Sequence, residues 1–303
     1  MRFRLTASDC EILRMVTECR IVTTPQLAAL LSRGGKSLNR RIDQLVDQGF
    51  LADAPRGPGQ RRGRPERVVA AAARGVEALQ ERRLIDPQVP TETILGERVP
   101  PQAHQLLLNW VRAHLHHVET VVPQLRVRFL AHNSPFLPPG FSTMSIVTDP
   151  TPCEVEPQRN LSFKPDAAFS ISDTTEGKTV MFFLEVDRGT EVRASPKREP
   201  TDIRQKILNY GVCFDRQIYK KYESLWSCQL NGFRLLFVTD SVARLGTLCS
   251  LVQAMPPSDY IWLTDKDRMF EEGISAEIWV RGGRLDTSPH SILGRFRCRA
   301  PLP

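Results

Sequence analysis

No stretch of this 303-residue sequence approaches the roughly 18 consecutive apolar residues that a membrane span requires, which excludes a helical membrane protein. The opening MRFRLTASDCEIL meets acidic residues before any apolar leader core could develop, so the cytoplasm is the expected compartment. Cysteine is sparse as well. Seven cysteines (10, 19, 153, 213, 228, 249, 298) are odd in number and never spaced CxxC, which argues against a disulfide framework and a structural zinc site. They are expected as reduced thiols. Four tryptophans (110, 226, 262, 279) lie in apolar periodic stretches and are expected in cores rather than as base-stacking platforms. No GxSxG, Walker or Rossmann signature is present to suggest those chemistries.

What the chain does have is an ordinary globular composition, 41% hydrophobic and 25% charged, at a length that favours two domains over one. Its net charge of +7 is unevenly spread. Residues 1–85 hold 16 Lys and Arg against 9 Asp and Glu, whereas residues 86–303 hold 25 of each. Self-repulsion disfavours such concentration unless a polyanion is the partner, so a nucleic-acid-binding domain is expected at the N-terminus.

Three helices are legible there. Ser8 and Glu11 form a capping-box pattern before Ile12, Leu13, Val16 and Cys19. Thr24 and Pro25 open a second helix with Leu27, Leu30 and Leu31 as its buried stripe. Ser37 opens a third, with Leu38, Ile42, Leu45 and Val46 on one face, basic Arg40 and Arg41 near its start, and Gly49 at its close. This is the helix-turn-helix plan, in which the third helix enters the major groove of double-stranded DNA. The segment after Leu51 interleaves Arg56, Arg61, Arg62, Arg64 and Arg67 with Gly and Pro and reads as a hairpin with a long wing suited to phosphates or a minor groove. With AAARGVEALQERRL after it, the region resembles a winged helix-turn-helix domain over about residues 5–85, which makes 1–85 the expected DNA-binding domain.

Residues 86–102 show no period and read as a linker, leaving 103–303 as a second domain. AHQLLLNWVRAHLHHVETV is expected to be helical; the spacing of His114, His116 and His117 diverges around that helix and does not suit a shared metal ion. A short strand is expected at STMSIVT. From residue 161 the pattern predicts the strands LSFKPDAAFSIS, KTVMFFLEVD, GFRLLFVTDS and DYIWLT, with helices over TDIRQKILNYGVCFDRQIYKKY and SVARLGTLCSLVQAM. The class is α+β or α/β with a mixed sheet.

In VMFFLEVD, strand alternation puts Glu185 and Asp187 on one face. A hairpin could bring Asp166 beside Glu185, and Lys206 and Tyr210 share a face of the next helix. Three carboxylates beside one lysine suit a hard divalent cation, Mg2+ or Mn2+. In the alternative, Asp187 pairs with Arg188 to end the strand, and Lys206 is an ordinary solvated helix lysine.

KPDAAF, then LEVDRGTE with nineteen positions from Asp166 to Glu185, then QKILNY, together resemble the core of the PD-(D/E)XK nuclease superfamily. With the N-terminal winged helix, His104, Leu106 and Asn109 as His-x-Leu-x-x-Asn, and the EVDRGTE motif, the chain is similar to the replication-relaxation family of bacterial plasmid and mobile-element proteins. The resemblance implies a mixed sheet flanked by helices and makes Asp166 and Glu185 metal-binding acids. Asp187 stands where the superfamily usually carries its catalytic lysine, and Lys206 could supply that charge from the helix.

Two functions are therefore expected. One is a DNA-binding protein of plasmid or mobile-element replication or relaxation, with metal-dependent endonuclease activity carried by Asp166, Glu185, Asp187 and Lys206. The other is a non-catalytic DNA-binding regulator whose nuclease-like domain serves dimerisation or docks plasmid replication and transfer proteins.

Overall fold

The computed structural model describes residues 3–54, 66–95, 102–141, 144–147, 160–189, 203–256 and 259–301. It is a mixed α+β protein divided into two compact units. The first takes in residues 1–117 with 133–136 and 301–303, the second 118–132 with 137–300. The division falls after His117, whereas the sequence pattern points to a linker at 86–102.

The first unit begins α1 (Ala7–Cys19), β1 (Ile21–Thr23), α2 (Thr24–Leu31), α3 (Gly35–Asp47), β2 (Leu51–Asp53), β3 (Val68–Ala71) and α4 (Ala73–Glu81). α1 is opened by a capping box of Thr6 and Asp9, two residues before the expected Ser8 and Glu11. α2 is capped by Thr23 and Gln26, with Pro25 in its first turn, where the missing N–H costs nothing. The three strands pair antiparallel in the order β1-β3-β2. Leu13, Val16, Leu27, Leu38, Ile42, Leu45, Val69, Val76 and Leu79 form the core between helices and sheet. Gly75 lets α4 close on this core, since a Cβ there would lie 2.2 Å from the Phe50 carbonyl oxygen.

The segment read as a linker contains α5 (Thr91–Leu95), whose Ile94 is buried in the same core; residues 96–101 lie outside the described residues. In α6 (Gln102–Val121), Asn109 donates to the Ile21 carbonyl at 2.6 Å and Gln105 to that of Cys19 at 3.1 Å. These amides satisfy backbone acceptors at the end of α1 and in β1, a contact that hydrophobic periodicity cannot reveal.

The second unit contains β4 (Leu125–Ala131), β5 (Met144–Val147), β6 (Asn160–Phe163), β7 (Ala167–Asp173), β8 (Lys178–Asp187), α7 (Ile203–Asp215), α8 (Lys221–Trp226), β9 (Phe233–Thr239), α9 (Val242–Gln253), β10 (Ile261–Asp265), α10 (Lys266–Glu272) and β11 (Val280–Arg281). Six strands form one mixed sheet in the order β11-β10-β9-β8-β7-β4. β8, β9 and β10 run parallel; β4 with β7, β7 with β8 and β10 with β11 are antiparallel. β5 and β6 pair separately.

Three local expectations change. LSFKPDAAFSIS is two strands, because Pro165 has no N–H for the ladder and parts β6 from β7. The helix expected over 201–222 ends at Asp215, where the chain turns through Gln217 in the left-handed region before α8. β4 is not expected from the sequence pattern: it is an edge strand whose Arg126 is exposed, so its apolar alternation is weak. One sheet face carries Met181, Phe183, Leu235, Phe237 and Leu263 under Tyr210 and Cys213 of α7 and Leu245 and Leu248 of α9. Strand alternation continues this face to Glu185 and Asp187 at the C-terminal end of β8.

Candidate functional site

Glu185 is buried, and its two carboxylate oxygens have different partners. The Tyr210 hydroxyl donates to Oε1 at 2.6 Å, and Lys206 Nζ donates to Oε2 at 3.1 Å. Lys206 and Tyr210 are one turn apart on α7, so a single helix face delivers both donors. Burial, with the negative charge of Glu185 next in weight, pushes the Tyr210 hydroxyl well above its ordinary value, so it remains a neutral donor. Tyr210 is the neighbour whose role the sequence understated. Its four-residue spacing from Lys206 was the available signal.

Asp166 stands just before β7. The β7–β8 register, Ala167 opposite Leu184, carries on to set Asp166 across from Glu185. The Asp166 amide donates to the Leu184 carbonyl at 3.1 Å, and its Oδ2 accepts from the Val186 amide at 2.7 Å. The carboxylate thus occupies a ladder position where β8 outruns β7. Its charge also acts on Tyr210, so Asp166, Glu185, Tyr210 and Lys206 share one locality.

Asp187 is placed differently. It lies two residues beyond Glu185 on the same face, about 7 Å along the strand, and there it meets α9 instead of α7. Arg244 grips it with Nε at 2.6 Å from Oδ2 and a terminal nitrogen at 3.2 Å from Oδ1, while the Gly189 amide donates to Oδ1 at 2.8 Å. Its cationic partner is Arg244, not the Arg188 of the alternative reading. Among the described residues, no group of three or more His, Cys, Asp and Glu side chains is placed to hold a metal ion. The expected three-carboxylate set reduces to the facing pair Asp166 and Glu185, with Lys206 beside it.

On the first unit, the exposed side of α3 displays Lys36, Asn39 and Arg40. Arg41 is turned inward. It forms an ion pair with buried Asp9, donates to Gln44 at 2.6 Å, and lies 4.9 Å over the Phe3 ring. Burial opposes the charge on Asp9, yet Arg41 and the Thr6 amide and hydroxyl hold its carboxyl below the usual range. Arg67 is bound to Asp53, at 2.5 Å, and to Asp43, tying β2 to α3. Arg56, Arg61, Arg62 and Arg64 lie outside the described residues.

A family model described as replication-relaxation matches residues 13–225, about seven-tenths of the chain. The chain belongs to the replication-relaxation family. No curated protein and no solved structure matches it. The matched span of this replication-relaxation protein takes in α3, Asp166, Glu185, Asp187, Lys206 and Tyr210, and it ends before Arg244. Family membership suggests a part in the replication of plasmids or mobile elements. Among the described residues, no helix is long and apolar enough to cross a membrane.

Proposed function

We propose that this replication-relaxation protein binds double-stranded DNA through its first unit and carries a phosphodiester-cleaving site on its second. The order helix, strand, helix, helix, strand, strand, with a three-stranded antiparallel sheet, supports a winged helix whose α3 is the reading helix. Lys36, Asn39 and Arg40 are its outward polar side chains. Arg56, Arg61, Arg62 and Arg64, outside the described residues, would add phosphate contacts in this reading. On the second unit, the order β4-β7-β8-β9 with helices α7 and α8 between β8 and β9 supports the PD-(D/E)XK likeness.

The observation that carries the activity is Lys206 Nζ at 3.1 Å from Glu185, with Asp166 across the strand pair. Two facing carboxylates offer the hard oxygen donors that Mg2+ or Mn2+ takes, whereas Asp187, two residues further along β8 and paired with Arg244 under α9, stands apart from them. Asp166 and Glu185 would hold the ion. The chemistry it supplies when bound is polarisation of the phosphate and activation of water. Tyr210 fixes the orientation of the Glu185 carboxylate. Lys206 sets a positive charge where negative charge develops on the phosphate during cleavage.

The second reading is a DNA-binding regulator whose second unit docks another copy or a replication or transfer protein. It is favoured by the internal compensation of both β8 acids, Glu185 by Lys206 and Asp187 by Arg244. Incubation with supercoiled plasmid and Mg2+ or Mn2+ separates the two. Under the first, wild-type protein nicks or linearises the plasmid, and Lys206→Ala lowers the rate by about 10²–10³-fold while duplex binding persists. Intact plasmid under every metal, with binding retained, would leave the regulator as the reading.

A further inference from the structure

The face of the large sheet opposite Glu185 holds a second feature, at the other end of β8. A pocket of about 390 Å3 is bounded by the starts of β4 and β8, the end of β7, and the loop 291–296. Leu125, Ile171, Ile292 and Leu293 are buried and make its floor apolar. Arg234, next to Phe233 at the start of β9, lines the same pocket.

The state of Arg234 is unusual. Its guanidinium carbon lies 4.4 Å from the centre of the Trp262 ring and 6.0 Å from that of Phe182. Aromatic rings cover the face of the guanidinium plane and leave its N–H edge to be satisfied. Among the described residues, that edge has neither an ion pair nor a hydrogen bond. Burial, reinforced by the positive charge of Arg281, lowers Arg234 from its ordinary value, the sign of a cation short of a counter-charge. The acids on the rim do not supply one. Arg295 holds Asp173 at 3.3 Å and Glu176 at 2.8 Å, and Lys178 holds Glu176 at 2.8 Å.

We propose that this pocket binds a small organic anion, a carboxylate on an apolar body, whose charge meets the N–H edge of Arg234 and whose body lies on Leu125, Ile171 and Leu293. The volume suits a ligand of this size, and of the three cations in its lining Lys178 and Arg295 are paired with Glu176 and Asp173, so an apolar floor meets one charged donor without an ion pair, the combination from which such pockets obtain specificity. A partly desolvated, unpaired cation is costly, and a bound carboxylate recovers that cost through a charge-assisted, two-point hydrogen bond. This inference does not depend on the chemistry at Glu185. Val180, which lines the pocket, and Glu185 are five residues apart on β8, roughly 17 Å, and point to opposite faces.

The test uses the full-length protein and titrates hexanoate, benzoate, hexanamide and inorganic phosphate, read by calorimetry and by melting temperature. Hexanoate or benzoate is expected to bind on the order of 1 mM, at least tenfold tighter than hexanamide or phosphate. Arg234→Met should weaken it at least tenfold. Val180→Asp, at a 38% exposed position on the pocket wall, should do the same by placing a negative charge there. This second variant decides the matter if Arg234→Met fails to fold. Equal binding of hexanamide would reduce the pocket to an apolar cleft, and equal binding of phosphate would reduce Arg234 to a general anion contact. Either result, or hexanoate and benzoate binding unaltered by both substitutions, or no binding at all, overturns the proposal.

Discussion

Arg244 and Asp187, fifty-seven residues apart in sequence, form a two-point ion pair at 2.6 and 3.2 Å, with side chains 13% and 2% exposed. The pair joins the end of β8 to the first turn of α9. Arg244→Ala leaves a buried carboxylate uncompensated and is expected to destabilise the second unit by about 3 kcal/mol or more, read as a lower midpoint in urea. The double variant Arg244→Met with Asp187→Leu should recover most of that loss. A single variant as stable as wild type would show that solvent already compensates Asp187.

Neighbouring arginines on α3 are expected to behave oppositely. Arg40 is exposed, while Arg41 is committed to Asp9. Arg40→Ala should weaken duplex binding and reduce its salt slope by about one phosphate's worth, or relax base preference if it contacts a base edge, with little change in melting temperature. Arg41→Ala should lower stability, by up to about 3 kcal/mol given that the guanidinium is 28% exposed. Binding per folded molecule should be unchanged. Salt-dependent fluorescence anisotropy beside a denaturation curve checks both.

Acid should act on the first unit in two stages. Burial lowers His114 from 6.5 to about 4, so the unfolded chain takes up a proton there before the native one does. Stability from this group is complete above about pH 6.5 and falls as pH drops toward 4, by up to about 3 kcal/mol. Asp9, held below 3.8 in the fold, contributes above that value and loses its contribution as pH falls through its folded value. His114→Gln should flatten the first stage and Asp9→Asn the second. Urea midpoints measured from pH 7 to pH 3 check the assignment, and a profile unchanged in His114→Gln would refute the first part.

Gly75→Ala adds one methyl group against the Phe50 backbone, which cannot rotate aside as a side chain could. A loss of about 1–3 kcal/mol is expected, toward the upper end because the neighbour is backbone. Gly35→Ala, at a position with nothing within 4 Å of an added Cβ, serves as the control and should be neutral or slightly stabilising. Thermal denaturation of both variants compares them directly.

Local physics made much of this protein readable in advance. The spacing of Leu38, Ile42 and Leu45 specified the buried face of α3, Pro25 the start of α2, and MFFLEVD a central strand, because each depends on neighbours within one turn or one pleat. The same locality placed Lys206 and Tyr210 on one side of α7. Tertiary structure alone decided which charges meet. Glu185 and Asp187 have the same sequence character and share a face, yet one lies under α7 and binds Lys206 while the other lies under α9 and binds Arg244. Likewise Arg40 and Arg41 are identical residues in adjacent positions, and the roughly 100° turn per helical residue sends one to solvent and the other to Asp9. Pairing across tens of residues depends on how the chain closes, through strand register and helix packing, and a linear pattern carries no record of that closure.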